Sequence, residues 1–365
     1  MATQSLFSGS WNHATDKFSV KAPNFGDLRW CMANNHSYDI PYVIIGEGAD
    51  KLVFLSGLNG CDAAYGSAAQ QLFLDKFAPK LTPEFRKKYT VVLIHVVNGY
   101  GMDNQIMETV DKYGDLVHLN RNFVDDFNNK PENKEYQAAH KLLLARQDKS
   151  KEAKLLNYRK EHLNDGAWYA IANGQYTHKD GFFYGGAAPV MENKMLMSIF
   201  DTVSQDAKSV QAFCLQTGDG FYNDVYGNVS GMLQVLHSAD SVPAQFYRRI
   251  CWSTEVAARP HYIINGNWAR AVEKRYNSKH CPVFATDFFV GTKRTASLPH
   301  IQKYLCIGQE RYERKRYGEI TGATKQKLLN LFCPQETQWR NGAMDKTYHF
   351  FQDIINFANA QCKRR

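Results

Sequence analysis

Four short polar segments of this sequence could carry chemistry, because each follows an apolar run or interrupts one. They are the pair Asn59 and Asp62, the run Leu119-Asn120-Arg121-Asn122, Gln216, and Asp287. Amides and carboxylates can hydrogen-bond a ligand, and their oxygens also suit a hard cation such as Mg²⁺ or Mn²⁺. The planar guanidinium of Arg121 suits a carboxylate or another anion. These residue types indicate a polar cleft that binds a ligand.

The elements that must position these segments can be read from apolar periodicity. Short β-branched runs predict strands at 52–55, 91–97, 210–215 and 283–290, and weaker strand-like pieces lie at 28–32 and 42–45. Helical patterns follow at 63–77, 133–162, 195–203 and 345–360. This alternation predicts an α/β fold, a three-layer sandwich whose mixed, largely parallel central sheet is flanked by helices. Because ligands bind beyond the carboxyl ends of such strands, we expect the polar segments to meet there.

The composition favours one large folded unit. Of the 365 residues, 44% are hydrophobic and only 22% are charged, which supports a sizeable core rather than disorder. The sequence has no Pro- or Ser-rich linker and no internal repeat. We therefore predict a single domain over residues 1–365, with N-terminal strands in 1–50 and a C-terminal helical extension in 293–365.

Charge and cysteine usage narrow the partners and the compartment. The net charge is +8, but no stripe of Lys and Arg is interleaved with aromatics, so we expect no nucleic-acid binding. No run approaches membrane-spanning length and no signal peptide is evident, so we expect no membrane contact. The eight cysteines are scattered without a CxxC pair, which favours a reduced, cytoplasmic location.

Several motifs resemble the zinc carboxypeptidase superfamily, and within it a cytosolic branch known as a domain of unknown function. The resemblance spans residues 50–292 and rests on Ser56-Gly57-Leu58-Asn59-Gly60 with Asp62, Asn98-Gly99-Tyr100-Gly101, Leu119-Asn120-Arg121-Asn122-Phe123, Gly174-Gln175-Tyr176, Phe183-Tyr184-Gly185-Gly186 and Leu215-Gln216-Thr217-Gly218. It implies a phosphorylase/hydrolase-like sandwich of the zinc-carboxypeptidase type. It also implies a zinc ion held by two histidines and a glutamate, with a second glutamate as general base.

This chain departs from the family at each of those four positions. Asn59, Asp62 and Gln216 stand where the three zinc ligands are expected, and Asp287 stands where the general base is expected. Neutral amide oxygens are much poorer zinc donors than imidazole nitrogen. Each aspartate is also one methylene shorter than the glutamate it replaces. We therefore expect neither zinc nor another cofactor, and a degenerate catalytic position at Asp287.

The retained motifs imply where a substrate would bind. Leu119-Asn120-Arg121-Asn122-Phe123 matches the superfamily's substrate-carboxylate motif without change, so Asn120 and Arg121 are expected to contact the ligand. Tyr176 and Tyr184 belong to a loop rich in glycine and aromatics, 174–186, and are expected to join them. The loop is interpreted as cleft lining or as a lid over the pocket.

Some of these residues also have a purely structural interpretation. Asn59 and Asp62 could cap the helix that follows them. Arg121 could form an ion pair with Asp125 or Asp126. Both interpretations stay open at the level of the sequence.

The histidines and one cysteine offer less specific signals. His95 lies inside an apolar run and is expected in the core, whereas His118 and His178 could point towards the cleft. With Asp62, these two could form a relocated metal site. Cys61 could act as a nucleophile, but no histidine stands at a motif-supported distance to activate it.

The sequence leaves three roles open. The first is a catalytically inactive carboxypeptidase-like protein that binds a peptide end, a small carboxylate or a protein partner. The second is an active metal-dependent carboxypeptidase or amide hydrolase with an altered metal such as Mg²⁺ or Mn²⁺. The third is a subunit of an assembly, including a homo-oligomer, in which an apolar patch mediates association.

Overall fold

The computed structural model describes residues 3–32, 38–145, 148–223, 228–229, 231–234, 264–278, 281–293 and 299–363. Its strands are β1 Asp27–Cys31, β2 Ile40–Ile45, β3 Asp50–Ser56, β4 Tyr89–Ile94, β5 Thr109–Val110, β6 Leu116–Val117, β7 Ser209–Asn223, β8 Asn228–Val229, β9 Gly231–Gln234 and β10 Val283–Lys293. Its α-helices are α1 Trp11–Lys21, α2 Ala63–Lys76, α3 Pro83–Lys88, α4 Gly99–Asn104, α5 Lys134–Leu144, α6 Lys151–His162, α7 Ala167–Ala170, α8 Met191–Ser204, α9 Trp268–Tyr276, α10 Pro299–Tyr317, α11 Gly322–Phe332 and α12 Thr337–Cys362.

All the described strands except the β5–β6 pair form one sheet. Its order is β1-β2-β4-β3-β7-β10-β9, and β8 pairs with β7. The four central strands β4, β3, β7 and β10 run parallel, whereas β1, β2 and β9 pair antiparallel towards the edges. This mixed sheet with a parallel centre confirms the predicted fold class.

Alternating side chains give the sheet two apolar faces. On one face Phe54 and Phe213 belong to a cluster that includes side chains of α1, α2 and α12. On the other face Leu55, Ala212 and Cys214 belong to a cluster that includes side chains of α8 and α9. Helices therefore cover both faces, as the three-layer prediction requires.

A third apolar cluster lies next to the carboxyl end of β3. It joins Cys61 to side chains of α5, α6, α10 and α11, and it contains Phe182 and Phe183 of the 174–186 loop. The loop is thus anchored by buried aromatic rings and by the backbone hydrogen bonds of Gln175 with Phe183 and Gly185. This packing fixes the loop beside the strand ends, where the predicted site residues lie.

The structure differs from the sequence prediction in several elements, among them α9, which was not predicted, and the following three. The helical pattern at 133–162 is divided into α5 and α6, and Lys151 at the start of α6 donates to the carbonyls of Leu143 and Ala145 at the end of α5 (3.2 and 3.1 Å). Strand β4 ends at Ile94, so His95 follows the strand. Helix α1 was not predicted, because its buried side is small and includes the polar residue Thr15.

The C-terminal part of the described chain is helical, with α10, α11 and α12 between residues 299 and 362. Within the described residues, no helix combines the length and the apolar character needed to cross a membrane.

Candidate functional site

The parallel register of β3, β7 and β10 brings the predicted polar positions together. Ser56 at the end of β3 pairs with Leu215, and Asp287 pairs with Cys214. Because side chains alternate along a strand, Gln216 and Asp287 project from the same face of neighbouring strands. We refer to Asn59, Asp62, Gln216 and Asp287 as the strand-end site.

A chain of hydrogen bonds links three members of the strand-end site. Asn59 Nδ2 donates to Gln216 Oε1 (2.9 Å), and Gln216 Nε2 donates to Asp287 Oδ1 (2.7 Å). The same Asp287 oxygen accepts a second hydrogen bond from Trp268 Nε1 of α9 (2.7 Å). All four side chains are buried, with at most 7% of the residue exposed. The side-chain amide of Gln216 therefore hydrogen-bonds its neighbours through both its oxygen and its nitrogen.

Asp62 is not part of this series of hydrogen bonds. Its Oδ2 accepts a hydrogen bond from the backbone N–H of Thr217 (3.1 Å), which ties the corner after β3 to the end of β7. Neither Asn59 nor Asp62 caps the helical segment that follows it. The helix-cap interpretation is therefore wrong for both residues. Two oxygens, Asn59 Oδ1 and Asp62 Oδ1, are buried without a hydrogen-bond partner.

The buried carboxyls hold protons more tightly than free aspartates do. Burial raises the pKa of Asp62 to about 7, although the Thr217 N–H, the neighbouring Asn59 side chain and Lys303 act in the opposite direction. Burial likewise raises the pKa of Asp287 to about 6, opposed by Trp268, Arg121 and Gln216. The site therefore changes charge near neutral pH.

The donor set does not fit zinc. The three ligand positions supply one carboxylate and two neutral amides, whereas structural and catalytic zinc sites use imidazole, thiolate and carboxylate donors. Gln216 Oε1 is already occupied by the Asn59 amide. Across the described stretches of the chain, no three His, Cys, Asp or Glu side chains are arranged to hold a metal ion.

Arg121 lies deep at the edge of the site and binds backbone carbonyls. Its Nε donates to the carbonyl oxygen of Ala172 (3.0 Å), Nη2 donates to the same oxygen, and Nη1 donates to the carbonyl oxygen of Asn120 (2.7 Å). Only 4% of the residue is exposed. Asp125, one of its two predicted partners, is bound by Lys274 instead. The guanidinium thus binds backbone carbonyls, and its positive charge also acts to lower the pKa of Asp287.

The neighbouring substrate-binding candidates are also engaged with the protein. Asn120 Oδ1 accepts from Asn267 Nδ2 (3.1 Å) and from the N–H of Trp268 (3.2 Å) at the start of α9. The Tyr176 hydroxyl donates to the carbonyl oxygen of Arg121 (2.7 Å). These bonds hold the 120–122 turn against the loop and against α9.

Tyr184 is placed differently. Its ring lies in the apolar cluster that also contains side chains of α8 and α9. Its backbone carbonyl accepts a hydrogen bond from the N–H of His118 (2.8 Å). It shares with Tyr176 a buried environment, with 3% and 9% of the two residues exposed.

The structure separates the two histidines of the hypothetical relocated metal site. The His178 ring stacks on His140, with ring centroids 3.9 Å apart, whereas His118 contacts the edge of Phe183. Burial and the cations Arg121, Lys303 and Arg311 lower the pKa of His118 well below its usual value. His118 is therefore a neutral side chain in electropositive surroundings.

His95 and Cys61 are both buried residues. His95 is fully buried, contacts Gln70 Oε1 through Nδ1 (2.7 Å) and stacks on Phe18, as expected for a core residue. Cys61 is buried, and burial raises the pKa of its thiol well above the usual value. A thiol with a raised pKa is a poor nucleophile, which argues against the cysteine alternative.

Sequence reasoning missed three contributors. Trp268 binds Asp287, Lys303 of α10 lies 5.4 Å from the ring centroids of both Phe183 and Phe332, and Arg311 pairs with the buried Glu108 (2.8 Å). None of them belongs to a motif of the strand-end segments. The only sequence signal for Lys303 and Arg311 is the basic character of α10, which lies outside the motif region, and Trp268 has no such signal.

Comparisons with known proteins identify the family and agree with the fold. The family model described as "Protein of unknown function (DUF2817)" matches residues 7–346. A search of curated proteins gave no match. Carboxypeptidase A from Helicoverpa armigera is similar in structure, with a TM-score of 0.50 and 13% identity over 96% of this chain and 71% of that chain.

Two more distant structures are also similar. The metallo-carboxypeptidase from Burkholderia cenocepacia has a TM-score of 0.44 and 9% identity, over 94% of this chain and 69% of that chain. Bovine thrombin-activatable fibrinolysis inhibitor has a TM-score of 0.45 and 11% identity, over 95% of this chain and 98% of that chain. At such low identity the likeness to carboxypeptidase A concerns the fold alone, and it confirms the carboxypeptidase-type fold inferred from the motifs.

Proposed function

This chain belongs to the family described as protein of unknown function DUF2817, and we propose that it is a non-hydrolytic, metallocarboxypeptidase-like protein that binds a peptide end or a small carboxylate. The hydrogen-bond chain from Asn59 through Gln216 to Asp287 carries this proposal. The side chains at the positions of the ligands and of the base bind each other, where an active enzyme needs them to bind a metal and a water molecule.

The degenerate base position supports the same conclusion. Asp287 Oδ1 accepts hydrogen bonds from both Gln216 and Trp268, which hold the carboxyl in place. A general base must instead lie within hydrogen-bond reach of the water or substrate proton that it removes. A side chain held in this way supports a shaped binding site better than it supports proton transfer.

The charge around the site favours an anionic ligand. Arg121, Lys303 and Arg311 all lie close enough to lower the pKa of His118. Arg311 pairs with Glu108, and Arg121 donates to the backbone carbonyl oxygens of Ala172 and Asn120. A peptide carboxylate would gain favourable electrostatic energy in such surroundings.

The test compares matched peptides on the purified full-length protein. Peptides with a free carboxyl terminus should bind, and the same peptides with a terminal amide should bind about tenfold more weakly, because they lack the charge. Isothermal titration calorimetry measures both, and mass spectrometry of the same mixtures should find every peptide intact. Release of the terminal residue by the wild-type protein would overturn the non-hydrolytic proposal.

A pair of variants on α10 serves as an internal control. Lys303→Gln removes a positive charge near the site and should weaken carboxylate binding about fivefold. Arg316→Gln removes a charge from an exposed position of the same helix and should leave the affinity unchanged. If both variants weakened carboxylate binding equally, the affinity would depend on the net charge of the protein and not on a charge near the site.

One observation favours the second candidate, a hydrolase with a harder metal. Asn59 Oδ1 and Asp62 Oδ1 are both buried and lack hydrogen-bond partners, and such oxygens are the donors that Mg²⁺ and Mn²⁺ accept. The test adds each metal to the wild-type protein and to Asp62→Asn. Metal-dependent peptide cleavage that disappears in the variant would establish this function in place of the first.

A further inference from the structure

A cavity outside the strand-end site lies on the side of the molecule formed by the N-terminal segment and the C-terminal helices. It has a volume of about 140 Å³. Phe7 and Ser8 contribute to its wall, together with Cys61, Met102 and Leu329 and the side chain of Arg340. We call this space the rear cavity. Gly60 also lines it, so the cavity adjoins the corner that carries Asn59 and Asp62.

Arg340 brings a positive charge to the rear cavity without an acidic partner. Its two terminal nitrogens donate to the side-chain oxygens of Gln4 and Gln335, both of which are neutral amides. Its guanidinium carbon lies 4.5 Å from the centroid of the Phe7 ring. Nε is buried and has no hydrogen-bond partner, and no carboxylate among the described residues pairs with this arginine. One donor and one net charge therefore remain to be satisfied.

Ser8 provides a second unsatisfied group in the same wall. The residue is 3% exposed, and its hydroxyl has no hydrogen-bond partner. A buried hydroxyl without a partner costs free energy, which a ligand atom can recover.

The rest of the wall combines apolar side chains with the amides of Gln105 and Gln335, and it limits the size of a ligand. Phe7, Met102 and Leu329 offer hydrocarbon and thioether surface, and Ala64 adds a methyl group. Cavities of about 150 Å³ hold a molecule the size of benzene. The rear cavity therefore has room for a small organic molecule with one polar end.

Arg340 could instead serve only to fasten the N-terminal segment to α12. The bonds to Gln4 and Gln335 and the contact with Phe7 would be sufficient for that role. They leave unexplained why the guanidinium borders a cavity, and why Nε and the Ser8 hydroxyl both lack partners there. A ligand with two acceptor oxygens would account for all of these features, since arginine binds carboxylates through parallel hydrogen bonds.

We propose that the rear cavity binds a small monocarboxylate, whose oxygens contact Arg340 and Ser8 and whose hydrocarbon part packs against Phe7, Met102 and Leu329. This site is distinct from the strand-end site and does not depend on the function proposed for it. An inorganic anion would satisfy the arginine but would leave the apolar wall uncovered, so a hydrocarbon part is required for good affinity.

The first experiment titrates the full-length protein with linear carboxylates from acetate to hexanoate, and with the matched neutral amides. Affinity measured by ligand-observed NMR or calorimetry should rise with chain length, by about threefold per added CH₂ group, until the cavity is full, and should then fall. Each amide should bind about tenfold more weakly than its acid. Equal binding of acids and amides, or no saturable binding by any of them, would overturn the proposal.

Variants locate the binding and separate it from the strand-end site. Arg340→Gln should weaken carboxylate binding about tenfold, and Ser8→Ala should weaken it about threefold. Ala64→Leu adds bulk to the cavity wall and leaves the arginine in the sequence, and it should abolish binding, so the test does not depend on whether Arg340 variants fold. Lys303→Gln and Arg316→Gln should bind like the wild type. Carboxylate binding that survives both Arg340→Gln and Ala64→Leu would place the ligand elsewhere and refute the assignment.

Discussion

Two buried polar clusters lie at the ends of neighbouring strands, and they differ in how completely their groups are paired. At the end of β4, Gln70 Nε2 donates to the carbonyls of Phe54 and Ile94 (2.9 and 2.8 Å), and its Oε1 binds His95. This amide is uncharged and is bound through both its nitrogen and its oxygen, and one atom of the cluster, His95 Nε2, has no hydrogen-bond partner. Burial lowers the pKa of His95 to about 3, so the ring stays neutral at physiological pH.

The strand-end site contains the same kinds of group but is less fully paired. It holds two buried carboxyls with raised pKa values, and two of its oxygens have no hydrogen-bond partner. A neutral cluster stabilises a fold, whereas a cluster with buried carboxyls and unpaired oxygens keeps free energy in reserve for a ligand. The comparison therefore separates a structural cluster from a functional one.

The largest effect is expected from restoring the missing zinc donors. The triple variant Asn59→His, Asp62→Glu and Gln216→His should bind zinc at least about a thousandfold more tightly than the wild type, because two imidazoles replace two amides. Competition with a chromophoric chelator measures both affinities. Gln216→His alone should gain much less. If the wild type already bound one zinc per chain tightly, the comparison between the two clusters would fail.

A large loss of stability is expected when the neutral cluster is broken. Gln70→Leu removes three buried hydrogen bonds, to the carbonyls of Phe54 and Ile94 and to the His95 ring, so the free energy of unfolding should fall by about 4 kcal/mol. The adjacent Gln71 is a matched control, since it is equally buried and its Nε2 has no partner. Gln71→Leu should change stability by less than about 1 kcal/mol. Urea denaturation tests both, and equal losses would contradict the distinction.

The charged cluster predicts a dependence of stability on pH. Asp62 and Asp287 have folded-state pKa values of about 7 and about 6, above the ordinary value of 3.8. Between pH 4 and pH 7 the folded chain holds protons that the unfolded chain has released. The free energy of unfolding should therefore fall as the pH rises through this range.

The variant Asp287→Asn isolates one contribution to that fall. It keeps an acceptor oxygen for Trp268 but cannot ionise, so the loss of stability between pH 4 and pH 7 should shrink by about 3 kcal/mol. Denaturation in urea at several pH values gives the curve. The exposed Asp125→Asn should leave its shape unchanged, and an unchanged curve for Asp287→Asn would show that this carboxyl does not titrate there.

The smallest effect concerns the loop beside the site. Tyr176→Phe removes the hydrogen bond to the carbonyl oxygen of Arg121 and should lower stability by about 1 kcal/mol. Tyr184→Phe is the control, since Tyr184 contributes mainly its ring to an apolar cluster, and it should have little effect. Thermal unfolding followed by circular dichroism compares the two. A larger loss for Tyr184→Phe would show that its hydroxyl, too, has a structural partner.

Much of the architecture could be predicted from apolar runs. The strands at 52–55, 210–215 and 283–290 were identified because buried parallel strands are continuously apolar, and the rule for strand ends then brought Gln216 and Asp287 together. Helix α1 was missed because its buried side has no strong periodicity. The break between α5 and α6 depends on Lys151 and the carbonyls of Leu143 and Ala145, which no periodic pattern records.

The partners of the site residues could not be predicted in the same way. The bond from Trp268 to Asp287 and the bonds from Arg121 to Ala172 and Asn120 join elements that lack a shared pattern in the chain. Hydrogen bonds depend on ångström distances and on angles, which motif spacing does not specify. The role of Asn120 in the site stays a prediction, and so does that of Arg121.

By itself the sequence determined which atoms stand at the ends of the strands: amide and carboxylate oxygens without an imidazole at the ligand positions. That was enough to predict a weak site for zinc, because donor type follows from residue identity. Only the tertiary structure decided how those atoms are used, with Gln216 bound on both sides and Asp62 left with an unpaired oxygen. The reason is physical: burial and pairing set the free energy of a polar group, and both arise only when distant segments meet.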